Sequence, residues 1–168
     1  MRSRLIVLCL FILITGCTHK YYIVRHAEKA APVASDPALS KDPPLTKAGT
    51  DRANALLARL RDAGISQIFS TNYIRTQSTA APLAVNLELE IQLYDTVDQA
   101  FIHRLKSLKE NVLVVGHSNT IDDIINGLVP AAHMTDLSEA VYDNLFIIKR
   151  RGNRFQLVRE KYGKPSGN

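Results

Sequence analysis

The residues best suited to chemistry follow apolar runs at three places in the sequence. Arg25 and His26 end one run in YYIVRHAEK, and His117 ends another in NVLVVGHSNT. In FSTNYIRT, Arg75 follows a third run, within one helical turn of Thr71. Arginines and histidines with no matching acid favour an anion, and phosphate suits planar guanidinium groups and helix amino termini. A histidine in line with the leaving group can attack phosphorus and become phosphorylated.

The elements that must position these side chains are predicted as one α/β domain. Strands are predicted at residues 21–24, 67–70, 91–94 and 112–115, and helices are predicted to begin near residues 46, 72, 97 and 119. This alternation implies a mostly parallel open sheet with helices on both faces, and 144–160 implies an antiparallel hairpin at its edge. The β-branched run 112–115 is expected to be a central, buried strand. Ligands of such sheets bind outside the carboxyl ends of the strands, where the arginines and histidines are expected to converge.

Local signals predict where several elements begin and end. Thr46 is expected to cap the helix that follows it, and Pro82 is expected to kink or end the next helix. Gly127 is expected to stop the helix after His117. The stretch 28–45, rich in proline and alanine, is expected to be a long loop that covers the site.

Four successive motifs, RHAE, PPLTKAG, FSTNYIRTQSTA and VVGHSNT, resemble those of the histidine phosphatase superfamily, in its phosphoglycerate-mutase-like branch. The resemblance runs from Tyr21 to about Leu145 and implies a phosphoglycerate-mutase-like fold. It implies that His26 is the nucleophile that forms a phosphohistidine, and that no cofactor is needed. It also implies binding of the phosphoryl oxygens by Arg25, Arg75 and His117, with hydrogen bonds from Ser118 or Asn119.

The sequence departs from the pattern of that family at two points. RHA replaces the usual RHG, which adds only a methyl group. Mutase-type members carry an acidic glutamate on an insertion, and the corresponding LELEIQLYDTVDQ is short here. Asp95 is therefore the first candidate for the general acid, with Glu28 and Glu90 behind it, and a missing acid would restrict substrates to good leaving groups. The short insertion argues against a mutase and resembles the small phosphohistidine phosphatases of the superfamily.

A metal site is not expected, because arginines beside the candidate histidines repel a cation and no HxH or HxxxH spacing occurs. The other titratable residues have ordinary interpretations: His103 is solvated, His19 lies in a linker, His133 lies in a loop, and Asp122 and Asp123 stabilise a helix dipole. No basic stripe with interleaved aromatic residues is present, so no nucleic-acid partner is expected.

The first residues are typical of a bacterial targeting segment. Arg2 and Arg4 precede the apolar run 5–14, and ITGC ends in Cys17. This pattern resembles a lipoprotein signal, which implies cleavage before Cys17, lipid on its thiol and attachment to a membrane. By resemblance to lipoprotein sorting rules, Thr18 favours the outer membrane, facing the periplasm. An uncleaved anchor or a plain secretory signal is the alternative.

The chain is accordingly divided into four parts: signal 1–16, lipidated amino terminus and linker 17–20, phosphatase domain 21–160, and flexible tail 161–168. The 168 residues carry a formal charge of +5, which falls by two when the signal and its two arginines are removed. That mild excess suits a small phosphorylated substrate. The basic run 149–154 is interpreted first as a solvated turn and second as a contact with anionic lipid head groups.

Two classes of function fit these observations. The first is a metal-independent phosphatase that hydrolyses phosphomonoesters through phosphorylated His26, or a phosphohistidine phosphatase of the same mechanism. The second is a catalytically weak phosphatase fold that binds a phosphorylated ligand or scaffolds an envelope complex. The sequence leaves the natural substrate and the oligomeric state open.

Overall fold

The computed structural model describes residues 18–32 and 35–166, so the expectations for the signal and for Cys17 lie outside the described residues. The strands are β1 (Thr18–Arg25), β2 (Ile65–Thr71), β3 (Ile91–Tyr94), β4 (Asn111–Gly116), β5 (Asn144–Arg151) and β6 (Arg154–Lys161). The helices are α1 (Pro37–Lys41), α2 (Lys47–Leu60), α3 (Ile74–Leu87), α4 (Gln99–Ser107) and α5 (Ile121–Leu128), with a 3-10 turn at Pro130–Ala132.

The six strands form one sheet in the order β3-β2-β4-β1-β5-β6. The first four are parallel to one another, and β5 and β6 run antiparallel as a hairpin at the edge. The predicted fold class is therefore confirmed. Strand β4 lies between β1 and β2, and its residues 112–116 are buried, as its β-branched run predicted.

Alternate residues of the central strands pack on opposite faces of the sheet. Tyr21 and Ile23 of β1 lie in a core cluster with residues of α4 and α5. Tyr22 and Val24 lie in the second cluster, with residues of α2 and α3. Because successive side chains of a strand point to opposite faces, a strand covered by helices on both sides must be apolar throughout. The two layers of helices hold the ends of β1 and β4 rigidly.

Helix boundaries confirm one local prediction and correct another. Thr46 caps α2, and its hydroxyl oxygen accepts from the Gly49 backbone N–H at 3.1 Å. Pro82 does not end the helix that contains it, because α3 continues to Leu87. Leu83, which follows the proline directly, is fully buried, so packing of α3 on the core outweighs the hydrogen bond that the proline removes.

The glycine expected to stop α5 lies inside it. Helix α5 ends one residue later, at Leu128. A Cβ at Gly127 would lie 2.6 Å from Cδ1 of Ile102 in α4, so the glycine serves the close approach of two helices. The stretch 28–45 also differs from the predicted loop, because it contains α1, which Asp36 caps.

Both ends of the predicted domain extend further than expected. Strand β1 begins at Thr18, so Thr18–Lys20 are paired with β5 and do not form a linker. His19 is buried there, 3.3 Å from the Tyr21 hydroxyl. The carboxyl-terminal residues are also ordered into the fold: Tyr162 is buried, and the Ser166 N–H donates to Asp143. The predicted flexible tail is thus wrong for 161–166. Across 18–32 and 35–166, no helix combines the length and the apolar character that crossing a membrane requires.

Candidate active site

Two histidines lie side by side at the carboxyl ends of the central strands. The parallel register places Arg25 of β1 beside Gly116 of β4, so His26 and His117 follow at the same edge. The His26 backbone N–H donates to the Gly116 carbonyl at 2.9 Å, and the two imidazole centroids are 5.4 Å apart. The structure thus brings together residues that stand far apart in the sequence, because adjacent parallel strands end at one edge.

His26 is held as a neutral imidazole with one free nitrogen. Its Nδ1 lies 2.8 Å from the Ala27 carbonyl oxygen, which can only accept, so Nδ1 carries the proton. Burial, with smaller effects of the charges on Arg25, His117 and Arg75, lowers the pKa of His26 to about 3 against the raising effect of the Ala27 hydrogen bond. Nε2 therefore keeps its lone pair at neutral pH, the state that a nucleophile requires.

A short hydrogen-bond chain sets the orientation of His117. The Thr76 hydroxyl donates to the Thr71 carbonyl, and the Thr71 hydroxyl donates to Thr76 Oγ1 at 3.0 Å. Thr71 Oγ1 is then left to accept from His117 Nε2 at 2.9 Å. Burial, with smaller effects of the charges on Arg75 and Arg25, lowers the pKa of His117 to about 4. His117 Nδ1 lies 3.5 Å from a guanidinium nitrogen of Arg75.

Arg25 is a buried guanidinium wrapped by the segment before β5. It is only 2% exposed, and its Nη1 donates to the Ser138 carbonyl at 3.0 Å. Its guanidinium lies 4.3 Å from the centre of the Tyr142 ring. Nη2 forms an ion pair with Glu139 at 2.6 Å. Glu139 also accepts from the Ser118 hydroxyl, and both contacts lower the pKa of its carboxyl group.

Arg75 is held in the same manner from the opposite side of the site. Its Nη1 donates to Asp42 at 3.0 Å, and its guanidinium lies 4.3 Å from the centre of the Tyr73 ring. Asp42 also accepts from the Ile74 N–H at 2.8 Å, so the first free N–H of α3 is already paired. The Nε atoms of Arg25 and Arg75 are buried and lack a hydrogen-bond partner among the described residues. Buried guanidinium donors without a partner, on arginines that line a pocket with two histidines, favour an anionic ligand.

The expectation that these cations have no matching acid is therefore wrong. Asp42 lies in the stretch 28–45 and Glu139 lies in 129–143, and neither stretch has the apolar periodicity from which tertiary contacts can be predicted. Sequence reasoning also missed Lys29 and Tyr73, which line the site. Lys29 is the third residue after His26, and this closeness to the motif was the available signal.

These side chains surround a pocket of about 340 Å³. Besides the residues already described, the predicted residues Ser118, Asn119 and Asp95 line it. Glu28 does not line this pocket, because its carboxylate is held by Arg52 of α2 at 2.6 Å, on the other side of the loop. Glu90 precedes β3 and so lies toward the amino ends of the parallel strands. Of the three candidate acids, the structure thus places Asp95 at the pocket and Glu28 and Glu90 outside it.

The other titratable residues lie outside this pocket. His103 is exposed, as predicted, and Asp122 and Asp123 lie in the first turn of α5, also as predicted. His133 is exposed after the 3-10 turn. Within 18–32 and 35–166, no three or more His, Cys, Asp or Glu side chains are grouped so that they could hold a metal ion.

The family model of the histidine phosphatase superfamily, branch 1, matches residues 21–101. The match includes most of β1, His26 directly after it, and all of α3 with Arg75. His117, which follows β4, lies beyond the match. Residues 21–101 therefore carry a histidine phosphatase superfamily domain. No curated protein matches the chain significantly.

Solved structures share the fold at low sequence identity. The protein histidine phosphatase SixA, solved with tungstate, is 18% identical with a TM-score of 0.66, and the match covers 84% of this chain and 96% of that one. Phosphoglycerate mutase from Bacillus anthracis is 14% identical, with a TM-score of 0.58 and 87% and 93% covered. A mycobacterial glucosyl-3-phosphoglycerate phosphatase is 13% identical, with a TM-score of 0.60 and 86% and 98% covered. These similarities show the phosphoglycerate-mutase-like fold.

Proposed function

We propose that this chain is a metal-independent phosphatase that hydrolyses phosphomonoesters through a phosphohistidine on His26. The observation that carries the proposal is the state of that side chain. Nδ1–H is held by the Ala27 carbonyl, burial keeps the ring neutral, and Nε2 is left as a free lone pair beside Arg25 and Arg75. A buried neutral imidazole in a pocket that two arginines also line is suited to attack an anionic phosphorus centre.

The first half-reaction transfers the phosphoryl group to the protein. The Nε2 lone pair attacks phosphorus, the new P–N bond forms, and the P–O bond breaks with its electron pair on the leaving oxygen. Arg25 and Arg75 stabilise the charge on the equatorial phosphoryl oxygens, as planar guanidinium groups can. The hydrogen bond from Nδ1–H to the Ala27 carbonyl stabilises the positive charge that the ring acquires.

The second half-reaction restores the histidine. A water molecule attacks phosphorus, the P–N bond breaks, and its electron pair returns to Nε2 of His26. The Asp95 carboxylate, which lost its proton to the leaving oxygen in the first half-reaction, accepts one proton from the water, and inorganic phosphate leaves the pocket. The arginines again stabilise the charge on the transferred group.

Asp95 is the proposed proton donor to the leaving oxygen. It lines the pocket, and its side chain forms no hydrogen bond or ion pair with the rest of the described chain. Asp42 and Glu139, by contrast, are each engaged by an arginine. A carboxylate paired with a guanidinium group stays ionised, so it is a poor donor of protons.

A phosphohistidine phosphatase is the second candidate. It is favoured by the pairing of Asp42 and Glu139 with arginines, because a P–N bond to imidazole needs less acid assistance than a bond to an alkyl oxygen. The fold similarity to the protein histidine phosphatase SixA adds support. The amino-terminal sequence suggests a periplasmic location, which is weak evidence against a cytoplasmic phosphorelay substrate.

We also propose that the mature chain is tethered to a bacterial membrane by lipid on Cys17, with the outer membrane favoured by Thr18. The support is the sequence of the first residues: two arginines, the apolar run 5–14 and the ITGC motif. Metabolic labelling with a radioactive fatty acid tests this proposal, and Cys17→Ser should abolish the label.

The activity is tested by hydrolysis of p-nitrophenyl phosphate in the presence of EDTA. The wild-type protein should turn over under these conditions, and His26→Ala should be inactive. The exposed substitution His103→Ala is the control and should retain full activity. Turnover that EDTA abolishes, or that His26→Ala retains, would contradict the proposed mechanism.

A further inference from the structure

The amino-terminal edge of the sheet carries basic side chains that the proposed reaction does not use. We define the basic edge as Lys20, Lys149, Arg150, Arg151 and Arg154. Pairing of β1 with β5 places Lys20 opposite Lys149, and pairing of β5 with β6 places Arg151 opposite Arg154. Like charges directly opposite each other across antiparallel strands repel. The basic edge therefore concentrates positive charge, and the repulsion lowers the stability of the β5–β6 hairpin.

The basic edge has no counter-charge within the described part of the protein. Among the ion pairs of residues 18–32 and 35–166, none involves any of its five members. Arg150 donates to neutral partners, the Gly152 and Lys106 carbonyls and the Tyr21 hydroxyl. Lys149, Arg151 and Arg154 are exposed. Unneutralised and exposed cations of this kind suit an extended anionic surface.

The chain enters the fold at this same edge. Thr18 is the first residue of β1 and lies opposite Arg151, so Cys17 directly precedes a paired strand residue. The residues before Thr18 include the apolar run 5–14. A strand that starts one residue after a membrane attachment point keeps the basic edge within reach of the membrane surface, while the anchor alone leaves open which side of the domain touches the lipid. This closeness favours lipid over nucleic acid as the anionic partner.

We propose that the basic edge docks on anionic lipid head groups and turns the active site away from the membrane. The proposal rests on membrane attachment of the amino terminus and is independent of the phosphatase reaction. Arg25, which directly precedes His26, lies at the opposite end of β1, about 23 Å from Thr18 at the usual rise of a strand. Docking by the basic edge therefore leaves the pocket open to the aqueous phase. Each basic side chain near an anionic bilayer contributes about a fivefold gain in partitioning.

Single-tryptophan reporters test this orientation, because the natural chain contains no tryptophan. Asn153→Trp places a reporter in the turn between β5 and β6, and Lys41→Trp places one at the end of α1, beside Asp42 and the pocket. The full chain carrying each reporter is bound to vesicles of brominated phosphatidylcholine and phosphatidylglycerol. Bromine quenches nearby tryptophan, so the Asn153→Trp signal should be quenched and the Lys41→Trp signal should not.

Charge removal separates the docking surface from the anchor. A triple variant removes three exposed charges of the basic edge: Lys149→Ala, Arg151→Ala and Arg154→Ala. It should weaken binding of the basic edge to the anionic bilayer about a hundredfold and abolish quenching of the Asn153→Trp reporter. The matched control removes three exposed lysines outside the basic edge, Lys41→Ala, Lys47→Ala and Lys164→Ala, and should leave quenching unchanged.

Two outcomes would overturn the proposal in different ways. A full chain that does not sediment with the vesicles contradicts the anchor, and the docking proposal fails with it. A chain that sediments but shows equal quenching at both reporters, or quenching that the triple substitution leaves intact, contradicts the docking surface alone. Phosphatase activity, measured on the same samples without vesicles, is a separate readout that neither outcome changes.

Discussion

At the scale of single residues, Glu139 accepts hydrogen bonds from donors that the proposed phosphoryl ligand would also need. Its two carboxylate oxygens accept from Arg25 Nη2 and from the Ser118 hydroxyl, and its side chain is 68% exposed. The segment that carries it also supplies the Ser138 carbonyl and the Tyr142 ring to Arg25. A ligand that binds this guanidinium through Nη2 must displace the carboxylate. We therefore expect Glu139 to compete with the proposed phosphoryl ligand for Arg25.

Removing the charge of Glu139 should strengthen the binding of inorganic phosphate. Glu139→Gln weakens the carboxylate contact with Arg25, and a hydrogen bond to a charged group contributes about 1.5–3 kcal/mol. We expect the inhibition constant for phosphate to fall about tenfold, measured by competition with p-nitrophenyl phosphate. Glu90→Gln, which lies outside the pocket, is the control. An inhibition constant that stays the same or rises in Glu139→Gln would show that the carboxylate does not compete.

The role of Asp95 is tested by comparing leaving groups. If Asp95 donates a proton to the leaving oxygen, Asp95→Asn should slow hydrolysis of an alkyl phosphate about a hundredfold. Hydrolysis of p-nitrophenyl phosphate, whose leaving group needs little protonation, should fall much less. Glu28 is the control, because its carboxylate is held by Arg52. Glu28→Gln should change the hydrolysis rates of the two substrates by the same factor. Equal losses on both substrates in Asp95→Asn would contradict the assignment and favour the phosphohistidine phosphatase.

At the scale of elements, α2 and the loop after β1 support the nucleophile together. The Glu28 carbonyl accepts from the Thr46 N–H at 2.9 Å, and Gly49 packs directly against that carbonyl. A Cβ at Gly49 would collide with the Glu28 backbone, which cannot rotate aside as a side chain can. The loop that positions the Ala27 carbonyl under His26 thus depends on a glycine in the first turn of α2.

Gly49→Ala should therefore impair both stability and catalysis. Overpacking of this kind costs about 1–3 kcal/mol in the free energy of unfolding, measured by urea denaturation. The kcat for p-nitrophenyl phosphate should fall in the folded fraction, because His26 loses its fixed orientation. Asn54→Ala introduces the same side chain at an exposed position of the same helix and should lower neither quantity. A Gly49→Ala protein with native stability and native kcat would contradict this account of the loop.

The sequence allows the strands to be predicted, because continuous apolar runs mark buried parallel strands. It also allows the convergence of four side chains to be predicted: Arg25, His26, Arg75 and His117. Strand ends then meet at one edge for topological reasons alone. Asp42 and Glu139 could not be predicted, since irregular segments carry them to the site and no periodicity reports tertiary contact. Pro82 was predicted to kink or end its helix and Gly127 to end its own, and neither ends the helix there because core packing outweighs local propensity.

At the scale of the whole molecule, the two histidines of the site, His26 and His117, couple stability to pH. The pKa of His26 lies at about 3 and that of His117 at about 4 in the folded protein, both below the ordinary value of 6.5. As the pH falls below that value, the unfolded chain binds protons that the folded chain does not. The free energy of unfolding must therefore decrease as the pH falls toward 4.

Each of the two histidines should add about 1.4 kcal/mol per pH unit to this slope. Urea denaturation at several pH values between about 6 and 4.5 measures it. His26→Asn should remove one histidine's share, while the exposed substitution His103→Asn should leave the slope unchanged. A His26→Asn protein whose stability depends on pH as steeply as the wild type would show that the buried His26 is not held neutral.

The central claim is that Nε2 of His26 becomes phosphorylated, and intact mass spectrometry after rapid quenching tests it most directly. The full chain is mixed with p-nitrophenyl phosphate, quenched in alkali, and digested to locate the modified residue. We predict one phosphoryl group on the peptide that contains His26, stable in alkali, lost in acid, and absent from His26→Asn. A phosphoryl group on another residue, or turnover that continues in His26→Asn, would contradict the account.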